Sequence, residues 1–332
     1  MADPIKLTVS EVITETPDAC SLVFEQAFPY RPGQFLTLRI PSDRTGSVAR
    51  CYSLCSSPQV DGHPAITVKR TPDGYASNWI CDNAKPGTTF EALGPAGVFT
   101  PRSLDGDLLL LAAGSGITPI MSIIKSTLAA GAGGLVLLYA NRDEQSVIFR
   151  DRLRALTERH PDRLTVIHWL ESVQGLPSAA HVRALTAPFD PAEVMICGPK
   201  PFMSIARTAM DLPKSRVHLE RFVSLGGNPF DDATPTSSDD SRASTVEVVL
   251  DGERRRLRWP AQTRLLDLFL ENGLAAPYSC REGACSACAC RLVSGEVKML
   301  NNEVLEQEDL DEGIILACQS LPVTDTIEIS YE

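Results

Sequence analysis

The sequence predicts a multidomain protein: an antiparallel β-barrel, a doubly wound α/β domain and a small α+β domain, in that order. Three observations predict it. Short alternating strands fill residues 5–100, apolar strands alternate with helices over 107–222, and residues 245–332 combine strands, one helix and a cysteine-rich loop. With 332 residues and 43% hydrophobic content, the chain is long enough for two or three separate cores.

The first domain, assigned to residues 1–103, is predicted from short alternating or β-branched segments. Pro and Gly separate these segments, which is typical of antiparallel strands joined by turns. The segments are LTVSEVI, SLVFE, QFLTLRI, ARCYSL, AITVKR and TTFEAL.

The second domain, assigned to residues 104–225, alternates the apolar strands LLLLAAG, LVLLYAN, LTVIHWL and EVMICG with helical stretches such as ITPIMSIIKSTLAA and SVIFRDRLRALTERH. A Gly-rich turn, from Ala113 to Pro119, directly follows the first of these strands. Doubly wound sheets bind nucleotides at such turns. The turn alone is weak support, because many connections need glycine for positive φ and bind nothing.

Residues 226–244 are rich in Gly, Pro, Ser and Asp and contain few apolar side chains, so we predict a linker there. The third domain then occupies residues 245–332. Its predicted strands are VEVVL, RRLRW, IILACQS and DTIEISYE, and its predicted helix is TRLLDLFLENG.

Four cysteines in the third domain have the spacing Cys-x4-Cys-x2-Cys with one distant cysteine, which matches the plant-type ligation of a 2Fe-2S cluster. They are Cys280, Cys285, Cys288 and Cys318. Small residues in the loop REGACSACA let backbone N–H groups approach the cluster sulfurs. A structural zinc site is the alternative, but zinc ligands usually come as two close Cys-x2-Cys pairs. Cys290 breaks the spacing, and we interpret it as a packing cysteine, with a place among the ligands left open.

Composition excludes several classes of function. The net charge of −11 argues against a nucleic-acid partner. An acidic cluster near the C-terminus suits either a solvated face or a docking surface for a basic electron acceptor. The chain shows neither a charged-then-apolar leader nor a membrane-length apolar stretch, and its remaining cysteines are dispersed, so we expect a cytoplasmic protein without membrane contact. The acidic cluster comprises Glu303, Glu306, Glu308, Asp309, Asp311 and Glu312.

In the first domain, Arg50-Cys51-Tyr52-Ser53 ends a predicted strand, and the segment from Gly74 to Trp79 follows the strand AITVKR. With the downstream domains, these motifs resemble the Arg-x-Tyr-Ser flavin signature of the ferredoxin-NADP reductase superfamily. The resemblance implies that Tyr52 and Ser53 contact the flavin rings and that Arg50 neutralises phosphate charge. It favours FAD, since the helix after Gly74 suits a pyrophosphate, while FMN stays open. The remaining residues implied to bind the cofactors here are Cys51, Val68, Lys69, Gly74 and Ser77.

The second domain resembles the pyridine-nucleotide half of the same superfamily. There the Gly-rich turn, with Gly114, Gly116 and Thr118, approaches NADH, and the cysteine of Cys197-Gly198-Pro199 lies near the nicotinamide. A buried core thiol is the other interpretation of Cys197. Glu220 matches the place where relatives put residues near the flavin and nicotinamide, or it is simply a charged strand end. The resemblance thus makes Ser53, Cys197 and Glu220 the candidate catalytic residues.

The nucleotide preference is predicted from three residues after the strand LVLLYAN. Asp143 and Glu144 would repel a 2′-phosphate, whereas Arg142 could attract one. NADH is therefore favoured over NADPH.

The order of the three domains is similar to that in reductase components of bacterial Rieske-type oxygenases, with a C-terminal β-grasp ferredoxin. TGSVARCYSL, VKRTPDGYASNWICDNA, LLAAGSGITPIMSI and HWLESVQGLP resemble the reductases of 3-ketosteroid 9α-hydroxylases. Cys55 departs from a serine in these relatives, and its weaker hydrogen bonds could alter flavin binding. The resemblance implies electron transfer from NADH through FAD and a 2Fe-2S cluster to a terminal oxygenase. The sequence leaves the oligomeric state open, and a monomer is the expectation for a shuttling reductase. One alternative keeps this electron transfer but has a phenylacetyl-CoA epoxidase or desaturase diiron protein as the acceptor. Another is a different class of protein, a non-enzymatic redox sensor or zinc-binding interaction module without NADH turnover.

Overall fold

The computed structural model describes residues 4–230, 243–305 and 307–331. Residues 6–40 and 50–222 form one compact unit, and the other described residues form a second. Residues 231–242 of the predicted linker and Glu306 of the acidic cluster lie outside the described residues. No helix in the described part of the chain is long and apolar enough to cross a membrane.

The first domain is built on a six-stranded sheet with the order β4-β3-β6-β1-β2-β5. Leu54 follows β4 directly and forms a bridge to Ile66 of β5, so the two edge strands of this order meet as in a barrel. Each predicted strand is present. The elements are β1 (Ile5–Thr16), β2 (Ala19–Phe24), β3 (Phe35–Ser42), β4 (Gly46–Ser53), β5 (Ala65–Lys69), α1 (Tyr75–Asn83) and β6 (Thr89–Ala96).

The second domain is a parallel five-stranded sheet with the order β11-β10-β7-β8-β9. The chain runs from β7 outward through β8 and β9 and then returns to β10, so the topological switch point lies between β7 and β10. Apolar clusters cover both faces of the sheet. The elements are β7 (Leu108–Ala113), α2 (Ile117–Ala130), β8 (Leu135–Asn141), α3 (Arg150–Arg159), β9 (Leu164–Leu170), α4 (Glu171–Gln174), α5 (Ala179–Thr186), β10 (Glu193–Cys197), α6 (Lys200–Ala209) and β11 (Val217–Glu220).

The helix predicted from SVIFRDRLRALTERH begins later than its apolar pattern indicates. Ser146 takes part in a capping box with Asp143 around the 3-10 turn Glu144–Ser146. Phe149 then adopts a left-handed backbone (φ 62°) before α3 starts at Arg150. The first apolar residues of the segment are buried as a loop, because their side chains pack into the core without needing a helix.

The third domain has a five-stranded sheet with the order β13-β12-β18-β14-β16 and its own core around Trp259 and Phe269. The strand predicted from IILACQS is interrupted, because a 3-10 turn over Ala317–Gln319 carries Cys318 between two short strands. The elements are β12 (Ala243–Leu250), β13 (Glu253–Pro260), α7 (Leu265–Glu271), β14 (Ala289–Ser294), β15 (Val297–Met299), α8 (Gln307–Asp311), β16 (Ile314–Leu316), β17 (Ser320–Pro322) and β18 (Thr326–Ser330).

Candidate functional site

The four spaced cysteines of the third domain come together in the fold. The thiol of Cys280 contacts those of Cys285 and Cys318, and Cys318 also contacts Cys288. The hydrogen bonds from Cys285, from Cys318 and from the backbone hold the pKa of Cys280 well below its ordinary value. The pKa of Cys318, hydrogen-bonded to Cys280 and Cys288, is raised. Thiolates are the form of cysteine that binds iron, so the group has the donor chemistry of a 2Fe-2S centre.

Backbone N–H groups of the same loop point at the sulfurs. Those of Glu282 and Ala284 donate to Cys280 Sγ at 3.4 and 3.3 Å, and that of Cys280 donates to Cys285 Sγ at 3.3 Å. The N–H of Cys318 donates to Cys288 Sγ at 3.4 Å. These donors favour negatively charged sulfur, as a cluster with thiolate ligands requires. Among residues 4–230, 243–305 and 307–331, no three His, Cys, Asp or Glu side chains surround a single ion position.

The cysteine loop needs an unusual backbone to bring its N–H groups inward. Arg281, Gly283 and Ser286 all have positive φ, at 61°, 81° and 52°. A Cβ at Gly283 would lie 2.8 Å from the carbonyl oxygen of Asn301, so only glycine fits there. Positive φ at a residue other than glycine costs free energy, so it persists only where surrounding contacts hold the backbone in place.

Side chains around the loop hold this backbone in place. Arg281 forms an ion pair with Asp267 of α7 at 2.9 Å, and its guanidinium lies 5.3 Å from the ring centre of Tyr278. Gln319 Nε2 donates to the carbonyl oxygen of Arg281 at 2.8 Å. The Glu282 carboxylate accepts hydrogen bonds from the N–H groups of Gly226 and Gly227. The sequence did not single out these supporting residues, because their contacts are distant along the chain.

Cys290 has a separate place. It is 4% exposed, lies on β14 opposite Ile315 and belongs to the core of the third domain. Burial raises its pKa. A neutral thiol among apolar side chains supports the interpretation of Cys290 as a packing residue.

The predicted flavin residues follow one another at the end of β4. Cys51 Sγ lies 3.4 Å from Thr37 Oγ1, and Ser53 is buried. Tyr52 is half-buried, and burial raises the pKa of its phenol, which therefore stays neutral. Arg50 is half-buried in the same strand, where a strand-end cation can reach a phosphate. Val68, on β5, is fully buried and lies opposite Cys20 of β2.

Helix α1 begins directly after Gly74. Its first turn has no side-chain cap from Gly74 and no acidic residue, which suits an anion such as a pyrophosphate. Ser77 Oγ accepts a hydrogen bond from the N–H of Thr71 at 3.0 Å, which fixes the loop leading into the helix.

The Gly-rich turn after β7 lies against the end of β10, at the switch point of the sheet. A Cβ at Gly116 would lie 2.7 Å from the backbone nitrogen of Gly198 and closer still to the carbonyl group of Cys197. Only glycine allows this approach. Thr118 Oγ1 donates to the carbonyl oxygen of Ser115 at 3.0 Å, and Tyr139 Oη donates to that of Gly114 at 3.1 Å. The turn is thus fixed at the position where such sheets hold nucleotides.

Charged side chains gather beside this turn. Lys69 Nζ lies 3.4 Å from where a Cβ on Gly114 would be, and burial lowers the pKa of this lysine. Arg142 forms an ion pair with Asp18 at 3.1 Å. Hydrogen bonds from Ser146 lower the pKa of Asp143, with the larger effect from the Ser146 side chain and a smaller one from its N–H group. Two of the strand-end charges that the sequence offered for nucleotide recognition, Arg142 and Asp143, therefore already have protein partners.

The structure adds Asn141 to the candidates. It is the last residue of β8, is 8% exposed, and both polar atoms of its amide are buried without a hydrogen bond of normal geometry among the described residues. A buried polar group without a partner is costly unless a ligand satisfies it. A polar residue at the end of the apolar run LVLLYAN is the signal that could have identified it.

Cys197 and Glu220 are brought together at the ends of β10 and β11. Burial raises the pKa of the Cys197 thiol, and the nearby Glu220 carboxyl raises it further. Burial also raises the pKa of Glu220, to about 8, although part of this side chain reaches solvent. Both groups are therefore predominantly protonated at neutral pH.

Cys55, which follows β4, is more deeply buried than Cys51 and Tyr52 of that strand. It is 1% exposed, donates to the carbonyl oxygen of Ala65 at 3.3 Å and accepts from Thr67 Oγ1 at 3.1 Å. Both hydrogen bonds are to residues of β5, so the serine-to-cysteine difference acts first on packing of the barrel.

Comparison with known proteins assigns each domain. Residues 5–100 match an oxidoreductase FAD-binding domain, residues 110–208 an oxidoreductase NAD-binding domain, and residues 248–323 a 2Fe-2S iron-sulfur cluster binding domain. The chain is 56% identical, over 98% of its length and 96% of the relative, to the 3-ketosteroid-9-alpha-monooxygenase ferredoxin reductase component of Rhodococcus rhodochrous. It is 33% identical, over 98% of its length and 97% of the relative, to one of the subunits of the 1,2-phenylacetyl-CoA epoxidase from Escherichia coli.

Among solved structures, phthalate dioxygenase reductase shares the fold, with a TM-score of 0.60, 24% identity and coverage of 98% of both chains. The protein is therefore an oxidoreductase that combines FAD-binding, NAD-binding and 2Fe-2S domains. The predicted fold class and cofactor classes are confirmed. More closely, the chain belongs to the family of ferredoxin reductase components of 3-ketosteroid-9-alpha-monooxygenases.

Proposed function

We propose that this protein takes electrons from NADH and delivers them, through FAD and a 2Fe-2S cluster, to the oxygenase component of a 3-ketosteroid 9α-monooxygenase. Identity of 54–56% across 98–99% of the chain to four reductases with this role supports the proposal. The observation that supports it most is the contact among four cysteines, Cys280, Cys285, Cys288 and Cys318. A 2Fe-2S cluster in the same chain as flavin and nucleotide domains allows the two electrons of the donor to be passed on one at a time.

When bound, the flavin supplies the step that accepts two electrons as a hydride and passes them on singly. We assign its ring contacts to Tyr52 and Ser53, with Cys51 and Val68 beside them. Arg50 and the first turn of α1, at Gly74 and Ser77, hold the phosphates. The neutral Tyr52 phenol and the buried Ser53 present uncharged groups to the proposed ring site.

For the nucleotide we assign Gly114, Gly116 and Thr118 to the backbone approach at the switch point. Lys69 adds a positive charge beside this turn. Cys197 and Glu220 lie at the end of the switch point where the nicotinamide is expected, and Ser53 completes the set of residues proposed to orient hydride transfer.

The four cysteines are the proposed ligands of the cluster, and the N–H groups of the loop stabilise its charge. We propose domain boundaries at 1–103, 104–225 and 245–332, with a linker at 226–244. Strand β12 begins at Ala243, so the third domain extends two residues into that linker.

NADH is the proposed donor in preference to NADPH. Arg142, the one cation expected to attract a 2′-phosphate, is paired with Asp18, and Asp143 adds negative charge nearby. An NADPH phosphate would have to displace the Asp18 carboxylate from this pair.

A phenylacetyl-CoA epoxidase is the second candidate acceptor, supported by the 33% identity to one of the subunits of such an enzyme. The lower identity makes it the weaker proposal. We further propose that the protein acts as a cytoplasmic monomer, since an electron carrier must present its cluster to another protein.

Two experiments test this function. In an anaerobic titration, NADH should bleach flavin and cluster absorbance together, and a protein indifferent to NADH would refute the electron relay. Reconstitution with purified oxygenase components then identifies the acceptor. NADH-dependent 9α-hydroxylation of a 3-ketosteroid is expected, whereas epoxidation of phenylacetyl-CoA without steroid hydroxylation would support the second candidate.

A further inference from the structure

Two thiols outside the cluster and nucleotide sites lie unusually close together. Cys20 on β2 and Cys81 on α1 are 61 positions apart in the chain, yet their Sγ atoms are 3.5 Å apart. Both are free cysteines. A disulfide has an S–S distance of about 2.05 Å, so a small side-chain movement brings the sulfurs into bonding range.

The two thiols differ in exposure. Cys20 is 8% exposed, while Cys81 is half-buried and partly open to solvent. A small oxidant therefore reaches Cys81 first, and Cys20 lies behind it. An accessible cysteine next to a second, protected cysteine is the usual arrangement of an oxidisable pair with its resolving thiol.

The electrostatic surroundings favour reaction at Cys81. Its pKa is lowered, chiefly by the hydrogen bond from Cys20 and further by the Arg70 guanidinium. Arg70 is held in place by Asp82 at 2.6 Å and by Asn78 Oδ1 at 3.3 Å. The thiolate is the reactive form of cysteine.

The pair lies beside residues assigned above to the flavin. Cys20 lies opposite Val68 in the sheet, and Cys81 Sγ is 3.8 Å from the Val68 carbonyl oxygen. Ionisation of either thiol would raise the pKa of the Tyr52 phenol. A bond between them would tie α1, whose first turn faces the proposed pyrophosphate site, to the sheet of the barrel.

We propose that Cys20 and Cys81 form a peroxide-reactive pair that closes to an intramolecular disulfide. The Cys81 thiolate attacks hydrogen peroxide, the O–O bond breaks, and a sulfenic acid forms with release of hydroxide, which takes up a proton. The Cys20 sulfur then attacks Cys81 Sγ, forming the S–S bond and releasing the sulfenic oxygen as water. Two thiols are oxidised and one peroxide is reduced to two waters. This proposal is independent of the electron acceptor.

The test uses the full chain with its cofactors, exposed to a small excess of hydrogen peroxide, alkylated and digested with trypsin without reduction. Cleavage after Lys and Arg, but not before Pro, leaves Cys20 alone in peptide 7–39 and Cys81 alone in peptide 71–102. We expect these two peptides linked, with the mass of two hydrogen atoms lost. Oxidation confined to peptide 51–69, or to the cluster-loop peptide 282–291, would overturn the proposal.

Matched variants separate pairing from general oxidation. In Cys20→Ser, Cys81 should be trapped as sulfenic or sulfinic acid, and in Cys81→Ser, Cys20 should stay reduced. Cys55→Ser, which removes a buried thiol of the same barrel, should still give the linked peptides. Equal oxidation of Cys81 to sulfinic acid in wild type and Cys20→Ser would show that Cys20 does not resolve it.

Tethering has its own measurement. The disulfide closes a long loop, so the oxidised wild type should melt several degrees higher than the reduced protein, with no rise in Cys81→Ser. An unchanged or lower melting temperature of the linked form would overturn the tethering of α1.

Discussion

Cys197 and Glu220 lie directly opposite each other on the neighbouring parallel strands β10 and β11. Burial raises the free-energy cost of ionising each group: the Cys197 thiol is fully buried and the Glu220 carboxyl is half-buried. The pair therefore presents two neutral groups at the end of the switch point that we propose holds the nicotinamide, where a fixed negative charge would alter the environment of a transferring hydride.

The raised pKa of Glu220 makes stability depend on pH. In the folded protein the carboxyl keeps its proton up to about pH 8, whereas in the unfolded chain it loses it near its ordinary value of about 4.3. Between these values the folded state binds more protons, so the free energy of unfolding falls as pH rises and levels off above pH 8. Glu220→Gln should not show this fall, which we expect to be about 1–3 kcal/mol in the wild type given the partial exposure. Urea unfolding at pH 5, 7 and 9 measures it, and parallel pH profiles for the two proteins would contradict the assignment.

Gly116→Ala should damage the nucleotide site. Its Cβ would meet the backbone of Cys197 and Gly198, which cannot yield as a flexible side chain does, so we expect about 3 kcal/mol or more of destabilisation and loss of flavin reduction by NADH. Gly62→Ala is the matched control, because a Cβ there meets nothing within 4 Å. Stopped-flow reduction and urea unfolding provide the measurements, and normal reduction by Gly116→Ala would refute the close approach.

Cys288→Ser should separate the two halves of the electron path. Without one of the proposed ligands, the cluster absorbance should be lost and delivery to a one-electron protein acceptor should fall by about tenfold or more, while NADH still bleaches the flavin. Cys290→Ser should keep the cluster, because Cys290 lies in the core. Cytochrome c reduction in the presence of superoxide dismutase is the assay, and normal rates in Cys288→Ser would exclude it as a ligand.

Arg50→Ala should weaken flavin binding. Loss of a charged hydrogen bond to phosphate costs about 1.5–3 kcal/mol, which corresponds to roughly 10–150-fold weaker FAD binding. Arg154→Ala, on the exposed face of α3, is the control. Flavin content after purification and titration of the apoprotein with FAD measure the effect; full occupancy of the Arg50 variant would remove Arg50 from the site.

Asp18→Asn should relax the choice of nucleotide. It releases Arg142 from its exposed ion pair, worth about 0.2–1 kcal/mol, so kcat/KM for NADPH relative to NADH should rise by up to about fivefold. Adding Arg142→Ala to this variant should cancel the gain. An unchanged ratio in Asp18→Asn would show that Arg142 does not meet the 2′-phosphate.

Much of the architecture could be predicted from the sequence, because the periodicity of strands and helices is local. Helix α2 spans the predicted ITPIMSIIKSTLAA, and β8 spans LVLLYAN. The spacing of the four cysteines indicated a cluster, since three of its proposed ligands share one loop whose geometry is set by neighbouring residues.

Local pattern was a poor guide where the backbone departs from regular geometry. The apolar residues before Arg150 fit a helix, but the left-handed Phe149 delays its start. Cys318 sits on a 3-10 turn inside a segment with strand-like composition. In both places burial in the core, which depends on the whole domain, outweighed local propensity.

The sequence by itself determined the order of the three domains and which side chains are available, among them the proposed ligand thiols and the glycines of the turn. Only the tertiary structure decided which of them meet. Asp18 neutralises Arg142 across 124 positions and Cys20 meets Cys81 across 61, and no pattern in the intervening residues marks either pair. The reason is physical: periodicity records the environment of each residue along its own element, whereas the pairing of distant residues is fixed by how sheets and helices pack together.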